Sequence, residues 1–156
     1  MKKTRKRYKR PLKLWDKERI EREKEILKNF GLGEKREIWG AEAMLRKFRR
    51  MARNLAAKKD KEQEKVLIKK LMRLGLLKEG AGLDDVLGLK LEDILERRLQ
   101  TVVFRKGFAN TPKQSRQFIT HGHVMIEGRK IIHPSYIVPV NEEEKIQTNI
   151  EKGVKK

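Results

Sequence analysis

The apolar residues in the first half of the chain recur every three or four positions, the spacing of helices that bury one face. Asp16, a residue type that caps helix N-termini, precedes the first such run, and Gly31 follows it. The glycine-rich stretch 76–89 is predicted to be a loop with a short helical turn at 84–87. The predicted helices span residues 16–30, from 38 or 41 to 57, and 60–75.

The second half is predicted to contain helices and then short strands. Residues 91–106 should form one basic amphipathic helix. Thr111, Pro112 and Gln114 have the types and spacing of a capping box with proline at the first helical position, so another helix should run from there to about residue 121.

Residues 124–126 and 129–132 flank a two-residue link, Glu127-Gly128, and predict a tight hairpin, while 136–140 predict another short strand. The fold class is therefore predicted to be α+β. The predicted divisions are a basic extended arm (1–15), a basic helical region (16–90), a unit of two helices packed on a short-stranded sheet (91–147) and a basic C-terminal tail (148–156).

The charge balance argues against a neutral soluble enzyme and for an anionic partner. The 156 residues include 41 Lys and Arg against 22 Asp and Glu, giving a net charge of +19 and a pI near 10.3. Only 37% of the residues are hydrophobic and 40% are charged, so a large core is not available. Twenty-nine of the basic residues lie in positions 1–90.

Two stretches concentrate this charge. Residues 1–13 hold eight Lys and Arg and no acid, so they should be disordered alone; a solvated tail or a localisation signal is the alternative to contact with RNA or DNA. Exposed helices usually interleave acids with bases, yet residues 43–59 contain no acid, which favours phosphate contact over simple solvation. The candidate RNA-binding residues of this helix are Arg46, Lys47, Arg49, Arg50 and Arg53.

Other chemistries find little support. The absence of cysteine excludes disulfides, thiolate zinc sites and thiol nucleophiles, and no stretch is apolar enough to cross a membrane. Three histidines without acids at ligand spacing are a weak metal signal, and no catalytic constellation can be defended. We therefore expect no enzyme activity, cofactor, metal, small-molecule substrate or membrane contact, and a soluble intracellular protein.

The aromatic residues divide into two groups. Four occupy helix-stripe positions and are expected to be core: Trp39, Phe48, Phe104 and Phe118. Tyr8 and Trp15 lie in the basic arm, where no core is evident, and whether they contact RNA or a neighbouring protein is left open.

Several motifs in the second half resemble the S4-type RNA-binding module. They are RRLQTVVFRKGFA at 97–109, SRQFI at 115–119, HGHV at 121–124, Gly128 and PSY at 134–136. The upstream motifs KREIW at 35–39, LRKFRR at 45–50 and ARNL at 52–55 resemble the helical part of the small-subunit ribosomal protein S4 family, in its archaeal and eukaryotic branch. Gln100 and the Thr111-Pro112-Lys113 start depart from the usual module pattern.

The resemblance implies a structural protein of the small ribosomal subunit in the cytoplasm. Such a protein would bind the 5′ domain of 16S-type rRNA directly, nucleate its assembly and lie near the mRNA entry side. Its partners would be small-subunit rRNA, neighbouring ribosomal proteins and, as a further candidate, mRNA at the entry channel. A free RNA-binding or RNA-modifying accessory factor that uses the same module is the alternative, and a DNA-binding protein is a weaker one because no DNA-reading motif is present.

The resemblance also implies that one surface of the second half of the chain contacts RNA. To the residues of this surface we add the two basic residues of the predicted hairpin. The residues are Arg97, Arg98, Arg105, Lys106, Thr111, Lys113, Arg116, Gln117, His121 and His123, with Arg129 and Lys130.

Overall fold

The computed structural model describes residues 8–149. Residues 1–7 of the predicted arm and residues 150–156 of the predicted tail lie outside this range, so the predicted disorder stays a prediction for residues 1–7. Residues 8–13 differ from the prediction, since Tyr8 contacts Trp39 and Lys13 O accepts from Arg19 Nη2. Residues 8–149 fold into eight helices and three short strands.

Three helices open the fold with the caps that the sequence predicts. Helix α1 is Lys17–Phe30: Asp16 Oδ1 accepts a hydrogen bond from the Arg19 amide, and Gly31 ends the helix at a φ of 60°. Helix α2 is Lys35–Lys58 and begins earlier than predicted, because its first turn is polar and carries no periodic apolar residue. Helix α3 is Lys61–Arg73, capped by Asp60.

The prediction of a single helix over residues 91–106 is wrong. The predicted short turn is helix α4, Leu83–Gly88, and it is followed by two helices, α5, Leu91–Glu96, and α6, Leu99–Arg105. Arg98 separates α5 from α6 with an extended backbone at a ψ of 142°. The backbone here bonds to residues 136–138 instead of continuing the helix: the Leu99 amide donates to Tyr136 O at 2.7 Å and the Val138 amide donates to Arg97 O at 2.9 Å.

Helix α7 and the hairpin follow the prediction closely. Helix α7 is Pro112–Thr120, and Thr111 Oγ1 accepts from the Gln114 amide at 3.2 Å. The reciprocal half of the capping box differs, since Gln114 Oε1 accepts from Asn110 N. Strands β1, Val124–Ile126, and β2, Arg129–Lys130, are joined by Glu127-Gly128, both at positive φ as in a type I′ turn.

The third strand lies elsewhere than predicted. Residues 136–140 contribute only one bridge, between Ile137 and Arg98. After a short helix α8, Val140–Glu143, strand β3, Ile146–Thr148, pairs antiparallel with β1 and completes a sheet of order β2-β1-β3. Residues 136–140 do not join the sheet, because their backbone forms hydrogen bonds with residues 97–99 at the break between α5 and α6. The α+β class itself is confirmed.

Two apolar clusters form the core. One lies in a helical unit, and the other lies in a unit of two helices and the antiparallel sheet, which we call the α/β unit. The first is built from α1–α5 and includes Ile38, Phe48, Leu71 and Leu95. The second packs α6 and α7 on the sheet and includes Leu99, Ile119, Val124 and Ile146. The boundary between the two clusters falls between Leu95 and Leu99, so α5 packs with the helical unit.

Candidate nucleic-acid interface

Helix α2 presents a group of exposed cationic side chains. Lys47, Arg50 and Arg53 are exposed and form no ion pair within residues 8–149. Arg46 is also exposed and lies 3.4 Å from Glu42 one turn earlier, a weak pair in solvent. Lys47, Arg50 and Arg53 also have no acid close by in the sequence, since residues 43–59 contain none.

Tyr8 and Lys9 lie beside this helix and make the basic surface concave. With Arg46, Lys47, Arg50 and Arg53 they line a hollow of ≈ 590 Å³, which we call the α2 cationic groove. The Tyr8 ring lies 5.9 Å from the Trp39 ring between centroids, which anchors the arm against α2. A cationic groove with an aromatic side chain on its wall is an arrangement that holds a nucleic-acid backbone.

Arg49, predicted for the same face, points elsewhere. Its Nη2 donates to Leu89 O at 2.5 Å, and the side chain is half-buried between α2 and the α4–α5 link. This arginine joins α2 to the α4–α5 link and is not part of the α2 cationic groove.

Glu37 forms ion pairs with two of the predicted RNA-binding arginines. Arg98 forms an ion pair with Glu37 Oε2, and Arg116 Nη1 lies 2.9 Å from Glu37 Oε1. Burial alone would raise the pKa of Glu37, but the hydrogen bond from Arg116 and the charges of both arginines outweigh it and hold that pKa below its ordinary value. Because Glu37 is on α2 and its partners are in the α/β unit, the three residues join the two units; we call them the Glu37 clamp.

Gln100 strengthens the same junction with its side-chain amide. It is fully buried, and Nε2 donates to Gly31 O at 2.8 Å and to Pro112 O at 2.9 Å. These bonds satisfy carbonyls at the end of α1 and the start of α7. The departure from the usual module residue at this position therefore has a structural role here.

A second acidic residue, Glu143 on α8, accepts hydrogen bonds from three more of the predicted cations. Arg97 Nη1 donates to it at 2.6 Å and Arg105 Nη2 donates at 2.8 Å, while Lys106 Nζ donates to its main-chain oxygen. Arg97 is buried and also donates to Val138 O. Burial would raise the pKa of Glu143, but the bonds from the two arginines outweigh it and keep that pKa low.

The rest of the predicted face lies on α7 and the hairpin, where most side chains are exposed. His123 is half-buried, with its ring 6.2 Å from that of His121, and a Cβ built on Gly122 would lie 4.0 Å from Lys130 Cδ. The end of α7 thus meets the hairpin. Thr111 Oγ1 already caps α7. The exposed members of this surface, which we call the α7–hairpin face, are Lys113, Gln117, His121, Arg129 and Lys130.

The structure thus places most of the predicted RNA-binding residues in one of two situations. Arg46, Lys47, Arg50, Arg53 and the α7–hairpin face are available to a partner. Six more donate to carboxylates or carbonyls of the chain itself: Arg49, Arg97, Arg98, Arg105, Lys106 and Arg116. Of the remaining two, Thr111 caps α7 and His123 is half-buried. Sequence reasoning missed Glu37 and Glu143 because they lie 61 and 46 residues from Arg98 and Arg97, beyond any local spacing signal.

Among the aromatic residues, Phe48 is buried as predicted and Trp39 and Phe118 are half-buried. The expectation that Phe104 is core is wrong, since 39% of it is exposed. Residues 8–149 hold no group of side chains suited to a metal ion. None of the helices in that range is long and apolar enough to span a bilayer.

A cation-rich helical unit joined to a small α/β unit of this topology is the architecture of an S4-domain protein. Residues 97–143 match the family model described as S4 domain, and residues 1–96 match the one described as Ribosomal protein S4/S9 N-terminal domain.

Curated relatives extend this match over nearly the whole chain. The chain is 48% identical to small ribosomal subunit protein uS4 of Korarchaeum cryptofilum, covering 94% of this chain and 90% of the relative. It is 54% identical to uS4 of Methanococcus aeolicus, over 90% of this chain and 82% of that protein, and 51% identical to uS4 of Saccharolobus solfataricus, over 91% and 81%. The chain belongs to the uS4 family of small ribosomal subunit proteins, which confirms the resemblance drawn from its motifs.

Proposed function

We propose that this protein is a structural constituent of the small ribosomal subunit and binds small-subunit rRNA directly. Membership of the uS4 family supports the ribosomal role. The observation that carries direct RNA contact is the α2 cationic groove, in which Lys47, Arg50 and Arg53 have no neutralising partner within the described chain. In a folded protein, a run of unpaired cations on one helix face is stabilised by an external polyanion.

The α2 cationic groove would hold the RNA through its phosphates. Each arginine can donate two hydrogen bonds to one phosphate, and each contact releases counterions condensed on the RNA. With about 6 to 10 phosphates neutralised, affinity should fall by about 10³ to 10⁵ between 50 and 200 mM salt on the duplex-DNA calibration, and by somewhat less for junction RNA.

The Glu37 clamp would convert this general attraction into selectivity. Because side chains cannot read the deep major groove of an RNA helix, proteins recognise structured RNA largely by its shape. Glu37, Arg98 and Arg116 fix the helical unit against the α/β unit, so that the α2 cationic groove and the α7–hairpin face keep one relative position. A rigid pair of surfaces favours an RNA whose helices meet at one matching angle, as at a junction.

The finer parts of the proposal follow from the family. We infer that the RNA target is the 5′ domain of 16S-type rRNA, that binding there nucleates assembly, and that the protein works in cytoplasmic ribosomes near the mRNA entry side. Neighbouring ribosomal proteins, and mRNA at the entry channel, are the further partners. The role is structural and requires no catalysis, cofactor or metal.

A salt series tests direct and selective binding. We would measure binding to a 5′-domain rRNA fragment and to a duplex RNA of equal charge that lacks the junction. The proposal expects the junction fragment to bind at least about tenfold more tightly, roughly 1.4 kcal/mol, at every salt concentration. Coincident curves would contradict selective recognition.

Co-sedimentation separates the ribosomal role from the alternative of a free RNA-binding factor. A structural constituent stays with small subunits in stoichiometric amount through a high-salt wash. A protein found mainly in the free pool would support the alternative.

A further inference from the structure

Trp15 is a large aromatic residue that the chain leaves uncovered. It lies directly before Asp16, the N-cap of α1, and is 92% exposed. An apolar residue at this position often packs against the fourth residue of the helix, here Ile20. At this exposure the indole does not pack against Ile20, and no other residue within 8–149 covers it.

The backbone that carries Trp15 is nevertheless fixed. Arg19 Nη2 donates to Lys13 O at 2.7 Å and to Leu14 O at 3.1 Å. The same guanidinium donates through Nη1 to Glu23 at 2.9 Å, and Glu23 is 4% exposed. The residues before Trp15 are therefore tied to the interior, and an exposed ring on an ordered backbone loses less entropy on binding than one on a free tail.

Glu23 in turn connects this segment to α2. It accepts from Trp39 Nε1 at 3.0 Å and lies 3.0 Å from Lys35 Nζ. Burial would raise the pKa of Glu23, but the hydrogen bonds from Trp39, Lys35 and Arg19 outweigh it, so the carboxylate stays ionised and the anchor persists at neutral pH.

The residues that flank Trp15 in the sequence are mostly cationic, with Glu18 as the exposed acid of the first turn of α1. Lys9, Arg10, Lys13 and Lys17 are all exposed on the same short segment. Asp16 is engaged as the cap of α1. An indole among lysines and arginines matches single-stranded RNA, in which an aromatic ring stacks on a base while cations hold the adjoining phosphates.

We propose that Trp15 stacks on an unpaired base of the RNA that the protein binds. The proposal rests on the proposed function, because it needs RNA at this surface. It adds a contact that the phosphate-binding residues do not supply, and it places an unpaired nucleotide beside the N-terminus of α1. The exposed Leu12 and Leu14 would then lie beside the nucleotide rather than in a protein pocket.

Tryptophan fluorescence provides a direct test, because the chain has only two tryptophans, Trp15 and Trp39. In Trp39→Phe, all indole emission comes from Trp15. Titration with the 5′-domain rRNA fragment should quench this emission strongly at saturation, as base stacking does, without the blue shift of burial in an apolar pocket. If Trp39→Phe folds poorly, the difference between wild type and Trp15→Phe isolates the same signal.

Affinity measurements supply the second test. A stacked base contributes about 1 to 3 kcal/mol, so Trp15→Ala should weaken binding about 5- to 150-fold. Because the indole is uncharged, the salt slope should stay that of wild type, whereas Lys13→Ala should lower the slope by about 1. Trp15→Phe should keep most of the affinity, and Val66→Ala, on α3, is the matched control for loss of an exposed apolar side chain.

The outcomes separate the two proposals. If wild type binds the junction fragment selectively but Trp15 emission is unchanged at saturation, or Trp15→Ala binds like wild type, base stacking is overturned and the proposed function stands. A blue shift that needs an added small-subunit protein would assign Trp15 to a protein pocket and overturn stacking. If wild type shows no selective RNA binding, the proposed function fails first.

Discussion

The cations of α2 and those around α6 differ in what neutralises them. On α2, Lys47, Arg50 and Arg53 face outward without an ion pair inside the described chain. Around α6, Arg97 and Arg105 both donate to Glu143 and Arg98 pairs with Glu37. In the sequence the two runs look alike, since each consists of arginine and lysine between apolar residues.

The difference shows how a highly basic protein divides its cations between binding and folding. An arginine that pairs with a carboxylate remote in the sequence becomes part of the interior. Removing one partner of such a pair leaves the other charge buried with less compensation. An arginine in an acid-free stretch stays available to an external anion. Substitutions should therefore separate the two regions, since those around α6 affect stability and those on α2 affect RNA binding.

The largest effect is expected from Arg98→Ala. It leaves the half-buried Glu37 with only Arg116 as partner, so the free energy of unfolding should fall by about 1 to 3 kcal/mol. Urea denaturation without RNA measures this, and Arg53→Ala, on the exposed face of α2, should stay within about 0.5 kcal/mol of wild type. Unchanged stability with lost RNA affinity would place Arg98 among the RNA contacts and break the comparison.

Combined substitution of the α2 cations should give the largest effect on RNA binding. In Lys47→Gln/Arg50→Gln/Arg53→Gln, the slope of log affinity against log salt should fall by about 3, roughly one for each lost phosphate contact. The melting temperature should change little, because these side chains are exposed. A wild-type salt slope in this variant would show that RNA does not occupy the α2 cationic groove.

Acid should weaken the Glu37 clamp. Since the pKa of Glu37 is lowered in the folded protein, its contribution is fully present above the unfolded value of about 4.3 and is lost as pH falls through the folded value. Glu37→Gln should therefore be less stable than wild type at neutral pH, with the gap closing in acid. Urea denaturation at a series of pH values measures the gap, and a gap of constant size would contradict the assigned role.

The smallest effect is expected from single changes on the α7–hairpin face. Lys113→Ala and Lys130→Ala should each lower the salt slope by about 1 and leave the melting temperature unchanged. Lys145→Ala, which removes a surface ion pair with Glu127 and no predicted RNA contact, is the control. If neither variant differs from this control, RNA binding is confined to the helical unit.

Local signals predicted most of the elements correctly. Asp16, Thr111 and the Glu127-Gly128 turn act within a few residues, so their caps and turn appear in the structure where the sequence indicates them. The break at Arg98 and the third strand were missed because both depend on pairing with segments about 40 and 20 residues away, respectively. The family was also predictable, since its motifs are contiguous.

The sequence by itself determined the excess of positive charge, the acid-free face of α2, the helix caps and the motifs of the uS4 family, because each depends on residue type and local spacing. Only the tertiary structure decided which cations are available. Arg97, Arg98 and Arg116 carry the same charge as Arg50 and Arg53, but folding brings Glu37 and Glu143 to the first three. Ion pairing depends on distance in space, and distances between remote segments are fixed only when the two cores pack.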